Sequence, residues 1–383
     1  MTPDEKELLL LEKTALEFAR KELAPHRREN DAHPFGPFFS PVLDKAFQLD
    51  FFHALPPEEA GGLDQGICAF SVLLESLCRE DASLGAILFS NACAQEIMLA
   101  AKQAGELKQI AEKFCGVTDC LIAFPAFNNP SEIDHIAQAT YKNDGYLISG
   151  AVDFLTMGGM ARHGLIPARL THGKTDDFSW FLVDLTDSRV TKSEMILSLG
   201  LRGCPAADVV FDHAPARLMG DVGNGAACFK MMSEKMNLAA AAMSCGVMKG
   251  SFDEALGYSK NRMQGGKKII DWTEFQMLLA NMALQIEMAS LALKSARQKA
   301  CEKTRGWQNS GLAVAAVIQK EACDVTSAGI QALGGVGYMK DFGQEKRFRD
   351  AQQLQALLGL APLKRINYLR RKMGQRDLSY GKD

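Results

Sequence analysis

The chain has 383 residues, more than one hydrophobic core normally serves, so its length favours two or three domains. Hydrophobic residues make up 47% and charged residues 23%, which is typical of a globular protein and excludes intrinsic disorder. The 43 lysines and arginines nearly balance 46 aspartates and glutamates, and the net charge of -3 argues against binding to nucleic acid or to an anionic membrane.

The first residues of the chain do not resemble a targeting segment. MTPDEKELLLLEK is acidic, and the apolar run from Leu8 to Leu11 is too short for the core of a signal peptide or for a membrane span. We therefore expect a cytoplasmic protein with no membrane span.

Ten cysteines are scattered along the chain, without a C-x-x-C pair or a histidine at zinc-ligand spacing. Several lie on apolar stretches such as NACAQEIM and AMSCGVM, where a reduced thiol behaves as a small hydrophobic side chain. The sequence therefore predicts buried free thiols and no metal site, as expected in a reducing compartment.

Residues 1–116 are predicted to form an N-terminal α-helical domain. The stretch REDASLGAILFSNACAQEIM begins on Asp81 and Ser83, residue types that suit the N-terminus of a helix. It stays amphipathic for about five turns, which predicts a long helix packed against a core.

Residues 117–225 change to the two-residue period of β-strands. QATYKNDGYLISGAVDF consists of two alternating runs joined by Asn143-Asp144-Gly145, a pattern that predicts a β-hairpin. SWFLVDL and ADVVFDH predict further strands. This middle segment is therefore predicted to be a small β-sheet or barrel domain.

Residues 226–383 are predicted to form a C-terminal α-helical domain, a four-helix bundle. Asp271 and Glu274 suggest a capping box at the start of one helix. The apolar residues that follow alternate spacings of four and three: Phe275, Leu279, Met282, Ile286, Ala289, Leu293 and Ala296. Such a stripe is more often core than cofactor contact. The whole chain is thus predicted to be an α+β multidomain protein, with helical, β and helical domains in that order.

Three stretches of the chain resemble the acyl-CoA dehydrogenase family. They are SLGLRGCPAADVVFDHAPARLMGDVGNG at 198–225, YSKNRMQGG with EFQ within 258–276, and GIQALGGVGYMKDFGQEKRFRDA at 329–351. The order of the domains is similar to the family's, and REDASLGAILFSN resembles its acyl-pocket helix. The resemblance covers nearly the whole chain. It implies an FAD-dependent oxidoreductase that carries out α,β-dehydrogenation of an acyl-CoA thioester in fatty acid metabolism.

The resemblance implies that FAD is held between two subunits. The family binds the FAD pyrophosphate with an arginine of the neighbouring subunit, at the position of Arg262. Backbone and amide approach the cofactor at the positions of Gln331, Gly334 and Gly335, where glycine offers no side chain to obstruct it. A homodimer or a dimer of dimers is then required. The family's aromatic ring beside the flavin falls on Gly265, so that contact is missing.

The resemblance also implies flavin contacts from the β domain. Where the family has Thr-Glu-Pro followed by Gly-Ser-Asp, this chain reads IAFPAFNNPSEI. Ala123 takes the threonine position, and Ser131 serves as the phosphate hydroxyl if the loop is one residue longer. DFLTMGG resembles the family's Trp-Ile-Thr-Asn-Gly. This match gives Phe154 as the ring stacked near the flavin and Thr156 as the hydroxyl near its N5 edge.

Each of these positions also has an interpretation without a cofactor. Arg262 could be a solvated charge at a helix end, and Gln331 with its glycines could be an ordinary helix C-terminus and turn. Phe154 could be a core ring and Thr156 an ordinary strand threonine.

The position of the family's catalytic base carries a hydrocarbon. Removal of the α-proton of an acyl thioester needs a base in a dry site, for which a carboxylate is well suited. In most of the family this base is a glutamate before a glycine, ten residues after the start of Tyr-Arg-Asp-Ala. Here that phrase begins at Phe348, and Leu358 precedes Gly359. The backbone N–H of residue 358, which helps to hold the thioester oxygen in the family, does not depend on the side chain and is expected to persist.

A second base position is also aprotic. Some family members carry the base on a helix about ten residues before a glycine, and counting back from Gly246 gives Met236. Glu234 lies two residues away, a rotation of roughly 200 degrees on a helix. It is either a displaced base or an acid that favours the dipole at a helix start.

Three functions remain open from the sequence. The chain is an active flavin oxidoreductase on acyl-CoA, with an unrecognised base or with a substrate that needs none. Alternatively, it is a catalytically reduced subunit that lends Arg262 and Gln331 to the FAD of a paralogous partner. The third possibility is a non-enzymatic protein that binds flavin or acyl-CoA. The family resemblance favours the first, whereas Leu358 and Met236 favour the other two.

Overall fold

The computed structural model describes residues 3–33, 39–112, 116–132, 136–171 and 177–378. Helices come first along the chain, strands follow, and helices return after the last barrel strand.

Seven α-helices lie in the described part of the chain before the first strand, joined by short π- and 3₁₀-helical turns. They are α1 (Pro3–Phe18), α2 (Arg27–Asn30), α3 (Phe39–Gln48), α4 (Gly66–Glu80), α5 (Ala82–Ala100), α6 (Ala104–Glu112) and α7 (Val117–Cys120). Helix α5 begins where the sequence predicts, because Asp81 Oδ1 accepts a 2.8 Å hydrogen bond from the backbone N–H of Ser83. Almost every residue of α5 is buried, so it forms the centre of this domain.

Seven strands in the described residues form a barrel. They are β1 (Ile122–Ala123), β2 (Ala137–Lys142), β3 (Gly145–Thr156), β4 (His163–Leu170), β5 (Phe178–Asp184), β6 (Val190–Lys192) and β7 (Ala206–Met219). Strands β2, β3, β7, β5 and β4 pair in succession, and β4 pairs again with β2, which closes the ring. Strands β1 and β6 add to β4 and β7. Closure protects the edges that an open sheet would expose.

The predicted hairpin is confirmed between β2 and β3. Lys142 lies opposite Gly145, and Asn143 and Asp144 adopt left-handed backbone angles with φ of 52° and 59°. Asparagine and aspartate tolerate this conformation better than most residues, and two such residues in succession make the tight turn that suits twisted strands.

Five helices in the described residues form the C-terminal domain. They are α8 (Gly225–Ser259), α9 (Thr273–Cys301), α10 (Trp307–Leu333), α11 (Gln344–Leu354) and α12 (Ala361–Lys372), with a small hairpin of β8 (Met263–Gln264) and β9 (Lys267–Lys268) between α8 and α9. Helix α8 packs against α10 and α9 of its own domain and against α4 and α5 of the first.

The start of α9 differs from the prediction, while its core stripe agrees with it. No side chain caps the helix, because a 3₁₀ turn at Ile269–Asp271 and Trp272 precede it; the capping box predicted at Asp271 and Glu274 is therefore wrong. Five residues of the predicted stripe are buried and the remaining two are half-buried. The apolar period thus located the packed face correctly.

The cysteines are not all free, which corrects the sequence expectation. A disulfide joins Cys68, near the start of α4, to Cys301, the last residue of α9, with 6.1 Å between the Cα atoms. Packing of α4 against α9 brings together two cysteines that are 233 residues apart in the sequence. Cys115 lies outside the described residues. The other cysteines are free: Cys78, Cys93, Cys120, Cys204, Cys228, Cys245 and Cys323.

Two described helices have the length and hydropathy of a membrane span. The span-like window of α5 is 94% buried within the protein, which identifies α5 as a core helix. The corresponding window of α9 is only 22% buried. The exposed apolar residues of α9 lie along one face: Met277, Leu284, Met288 and Leu291.

Candidate functional site

Buried charges position α11, the helix that leads to the base position. Lys346 Nζ lies 3.0 Å from Asp81 Oδ1 and 2.6 Å from Asp350 Oδ2, and all three residues are buried. Asp350 Oδ1 also accepts a 2.7 Å hydrogen bond from the backbone N–H of Leu201. These bonds tie α11 to the start of α5 and to the loop before β7. They fix the place where the following turn begins.

Leu358 lies in the turn between α11 and α12. Its φ of 62° is left-handed, which is uncommon for a residue other than glycine, and its side chain is buried. Its backbone N–H donates a 2.8 Å hydrogen bond to the carbonyl oxygen of Ala126, in the loop after β1. The N–H expected to persist at residue 358 is present, but in this structure it is paired, so a thioester oxygen that used it would have to displace the carbonyl oxygen of Ala126.

A carboxylate stands beside the base position, although it comes from another part of the chain. Gly359 has a φ of 107°, and a Cβ at this residue would lie 2.9 Å and 3.0 Å from the two carboxylate oxygens of Glu132. Glu132 Oε2 accepts a 3.0 Å hydrogen bond from the backbone N–H of Leu360, and Oε1 accepts one of 3.0 Å from Asn129 Nδ2. Burial raises the pKa of the Glu132 carboxyl.

Lys364 supports the same turn from α12. Its Nζ donates to the carbonyl oxygen of Leu357 and, over 3.4 Å, to Gln319 Oε1. Gln319 Nε2 in turn donates a 2.8 Å hydrogen bond to the carbonyl oxygen of Leu354 at the end of α11. Lys364 is only 7% exposed, and burial lowers its pKa to about 8. Lys364 and Gln319 therefore donate hydrogen bonds to backbone carbonyl groups at the end of α11 that the helix itself does not pair.

The second base position is a buried methionine. Met236 is fully buried in α8. Glu234 Oε1 lies 3.2 Å from Arg371 Nη2 and 3.8 Å from Lys230 Nζ. The ion pair between Glu234 and Arg371 thus links α8 to α12.

The predicted flavin residues of the β domain lie along the loop after β1 and the end of β3. Phe124 pairs with Thr156 through a β-bridge, next to the fully buried Ala123. Phe154 has a φ of 54°, and its backbone N–H donates to Asp208 Oδ1. The Phe154 ring meets the Phe127 ring edge to face at 5.6 Å. The loop after β1 thus contacts the turn that carries Leu358 through Ala126 and the end of β3 through Phe127.

Ser131 lies in the same loop, in the 3₁₀ turn Pro130–Glu132. It is half-buried, and its backbone N–H donates a 3.0 Å hydrogen bond to Asn129 Oδ1. Its neighbour Glu132 makes the polar contact with the turn, by accepting from the backbone N–H of Leu360.

The hydroxyl of Thr156 lacks a hydrogen-bond partner among the described residues. Thr156 is 1% exposed, and its Oγ1 makes no hydrogen bond within this part of the chain. Leaving such a group unpaired costs about 1–3 kcal/mol. A polar ligand atom at this place would satisfy the hydroxyl, so the residue fits the flavin contact that the sequence predicts.

The other predicted cofactor residues are exposed on the surface of the protomer. Arg262 precedes β8, whereas Gln331, Gly334 and Gly335 lie at the end of α10. A Cβ at either glycine would meet no described atom within 4 Å. Gln331 also lines an open cavity of about 480 Å³ with Gly265 and the start of α9. These groups are free to face a neighbouring molecule.

An aromatic ring stands beside Gly265, although the sequence places none at that position. A Cβ on Gly265 would lie 3.0 Å from Cζ2 of Trp272. The indole N–H of Trp272 donates to the carbonyl oxygen of Gln264, and Lys267 Nζ lies 3.9 Å from the ring centre. Trp272 lines the same cavity as Gln331. An aromatic ring therefore lies beside residue 265, although that residue itself carries none.

Comparison with known proteins identifies two matching family models. The model described as "Acyl-CoA dehydrogenase, N-terminal domain" matches residues 5–109, and "Acyl-CoA dehydrogenase, C-terminal domain" matches residues 223–371.

Similar proteins cover nearly the whole chain. A caffeyl-CoA reductase–Etf complex subunit of Acetobacterium woodii is 26% identical over 352 residues, which are 90% of this chain and 92% of the relative. A 3-sulfinopropanoyl-CoA desulfinase of Paraburkholderia xenovorans is 27% identical and covers 96% of both chains. The solved butyryl-CoA dehydrogenase of Megasphaera elsdenii superposes with a TM-score of 0.83 at 22% identity, over 97% of this chain and 99% of that one. The predicted fold class is thereby confirmed.

Proposed function

Because the chain belongs to the acyl-CoA dehydrogenase family, whose flavoproteins act on acyl-CoA, we propose that it binds FAD and an acyl-CoA thioester as an oxidoreductase. Its α-proton abstraction does not use either of the family's two base positions. The observation that carries this proposal is the pair of buried hydrocarbon side chains, Leu358 and Met236, at those positions within an otherwise matching fold.

In this proposal, two subunits together contribute the residues that contact one FAD. When bound, FAD supplies a hydride acceptor. The hydroxyl of Thr156, which has no partner among the described residues, would hydrogen-bond to the flavin, and the ring of Phe154 would contact it from the same end of the strand. Arg262 and Gln331 would contact the cofactor of the partner subunit. The exposure of these last two residues on the protomer supports that arrangement.

A homodimer or dimer of dimers is part of the proposal. The exposed apolar face of α9 is too extensive to be typical of a helix that faces only water. A second copy of the chain would cover it and would place Arg262 near the partner's flavin.

One observation favours a second candidate, a catalytically reduced subunit of a heteromer or a non-enzymatic binding protein. The N–H of Leu358, which holds the thioester oxygen in the family, already donates to Ala126. A chain that no longer turns over an acyl thioester has no need to keep this donor free. Occupancy of FAD in only half of the subunits, or in none, would support this candidate.

The test begins with the cofactor. We expect the purified protein to bind FAD in each subunit and to show quenching of the Trp272 fluorescence on reconstitution, which a Trp272→Phe variant lacks. Colourless protein that cannot be reconstituted with FAD would rule out the proposed function.

Anaerobic mixing with saturated acyl-CoAs then tests the chemistry. We expect slow bleaching of the flavin in the wild type and acceleration by up to about 10²-fold in Leu358→Glu, because a carboxylate returns to the base position. Leu369→Glu is the matched control, because Leu369 is similarly exposed but lies on α12, outside the turn. Equal rates in Leu358→Glu and wild type, with FAD and ligand binding retained, would contradict the prediction.

A further inference from the structure

We propose that Glu132 is the proton acceptor of this site and takes the α-proton of the acyl thioester in place of the missing base at residue 358. This inference rests on the proposed function, since it requires an acyl thioester bound beside the turn after α11. It replaces a base carried by that turn with one carried by the β domain.

The carboxylate occupies space next to the family's base position. Its two oxygens lie 2.9 Å and 3.0 Å from the point where a Cβ of Gly359 would be. Gly359 has no side chain, and its φ of 107° is a conformation that other residues rarely adopt. The turn therefore leaves room for a carboxylate from outside, one residue away from Leu358.

Two hydrogen bonds hold the carboxylate in one orientation. The backbone N–H of Leu360 donates to Oε2, and Asn129 Nδ2 donates to Oε1. The orientation of the Asn129 amide is set in turn, because its Oδ1 accepts from the backbone N–H of Ser131. Each carboxylate oxygen keeps a second lone pair, so Glu132 is fixed and can still accept a proton.

The surroundings of Glu132 suit a base. Leu357 and Leu358, the two residues before Gly359, are buried, so this part of the turn is apolar. Burial raises the pKa of the Glu132 carboxyl, which brings its basicity closer to that of a base working near neutral pH. Glu234, the other candidate acid, is paired with Arg371 and Lys230 instead.

The step needs no oxidant. The bond between the α-carbon and its hydrogen breaks, the proton goes to a Glu132 oxygen, and the electron pair remains as an enolate spread over the thioester carbonyl. Return of a proton from the carboxyl restores the substrate. In D₂O the reverse step delivers deuterium, so proton transfer can be measured apart from dehydrogenation.

The experiment uses the FAD-loaded full chain with butanoyl-CoA in D₂O. Mass spectrometry follows deuterium at the α-carbon, and the change in flavin absorbance on mixing measures ligand binding. We expect Glu132→Gln to lower the exchange rate by about 10²-fold while ligand binding is retained. The matched control is Glu194→Gln, an exposed glutamate of the same domain, which is expected to exchange at the wild-type rate.

Two further variants separate proton transfer from folding. Leu358→Glu in the Glu132→Gln background is expected to restore exchange, because a carboxylate returns to the family's position. If Glu132→Gln loses FAD, Glu132→Asp tests the same point, since it keeps the charge but sets the carboxylate back by one methylene. We expect an intermediate exchange rate from it.

Three outcomes would overturn the inference while leaving the proposed function intact. They are wild-type exchange in Glu132→Gln, loss of exchange in Glu234→Gln instead, and a wild type that binds butanoyl-CoA but exchanges no deuterium. A wild type whose flavin spectrum responds to no acyl-CoA would defeat the proposed function itself, and the role of Glu132 with it.

Discussion

Lys364 is the residue whose ionisation most directly reports on the turn after α11. Its ammonium group is buried against the carbonyl oxygen of Leu357, and burial lowers its pKa to about 8. In the unfolded chain the pKa of a lysine is about 10.4. Below pH 8 both states bind the proton, so the native protein carries the full cost of burying the charge. Between pH 8 and 10 the unfolded chain binds more protons, so stability rises with pH.

We predict that this rise disappears in Lys364→Met, which removes the titrating group. The free energy of unfolding of the wild type should increase relative to the variant by about 2 kcal/mol between pH 7 and pH 10. Urea denaturation across this range measures the difference. Lys372→Met, at the exposed end of the same helix, is the control and should follow the wild type. A pH-independent difference between wild type and Lys364→Met would contradict the prediction.

Some site residues can be located from the local sequence, whereas others depend on contacts between distant parts of the chain. Leu358 could be located from the sequence, because the spacing from Phe348 to Gly359 lies within one local segment. Glu132 could not, because its bond to Leu360 joins residues 228 positions apart. Trp272 was missed for a related reason: the motif assigns the ring to residue 265, and only the folded structure shows that the Trp272 ring lies next to that residue.

At the scale of whole elements, the disulfide between α4 and α9 links the first and last helical domains covalently. In the sequence, all the strands of the barrel lie between Cys68 and Cys301. A cross-link of this kind removes conformational freedom from the unfolded chain, which typically stabilises the native state by about 3 kcal/mol. In a reducing compartment the bond would open and this contribution would be absent.

We predict that Cys301→Ser lowers the free energy of unfolding by about 3 kcal/mol under oxidising conditions. Dithiothreitol should destabilise the wild type by a similar amount and leave the variant unchanged. Urea denaturation with and without the reductant measures both effects. Cys323→Ser, which removes a free thiol, serves as the control and should respond to dithiothreitol like the wild type. A wild type that is insensitive to the reductant would show that the bond does not form or does not stabilise the fold.

Elements with a strong local pattern were predictable, and those set by long-range contacts were not. The β2–β3 hairpin follows from Asn143-Asp144-Gly145, and α5 follows from Asp81 as its N-cap. The start of α9 was misplaced because Asp271 has the right residue type for a cap but lies in a 3₁₀ turn. The closure of the barrel through β4 and β2 involves pairs that no single segment encodes.

At the scale of the whole molecule, α9 leaves an apolar face exposed to solvent on the described protomer. Met277, Leu284, Met288 and Leu291 are each more than half exposed. Their spacings of seven, four and three residues place them on one side of the helix. A second copy that covers this side would explain why the stripe is apolar.

We predict that the double variant Leu284→Lys/Met288→Lys dissociates the assembly and lowers its FAD content, because Arg262 and Gln331 then no longer reach a partner's cofactor. Sedimentation equilibrium and the flavin-to-protein absorbance ratio measure the two effects. Lys13→Glu, on the exposed side of α1, is the control. Wild-type mass with normal FAD content in the double variant would exclude α9 from the interface.

The carbonyl oxygen of Ala126 competes with any ligand for the backbone N–H of Leu358, because the two groups are already hydrogen-bonded. Any ligand that uses this donor must first separate two loops that already satisfy one another. A net hydrogen-bond contribution of about 1 kcal/mol corresponds to an open form in roughly one molecule in six. The apparent affinity for such a ligand is then reduced to about one sixth of its intrinsic value. Ligands that keep their oxygen away from residue 358 escape this penalty, so the closed turn selects between modes of binding before any chemistry begins.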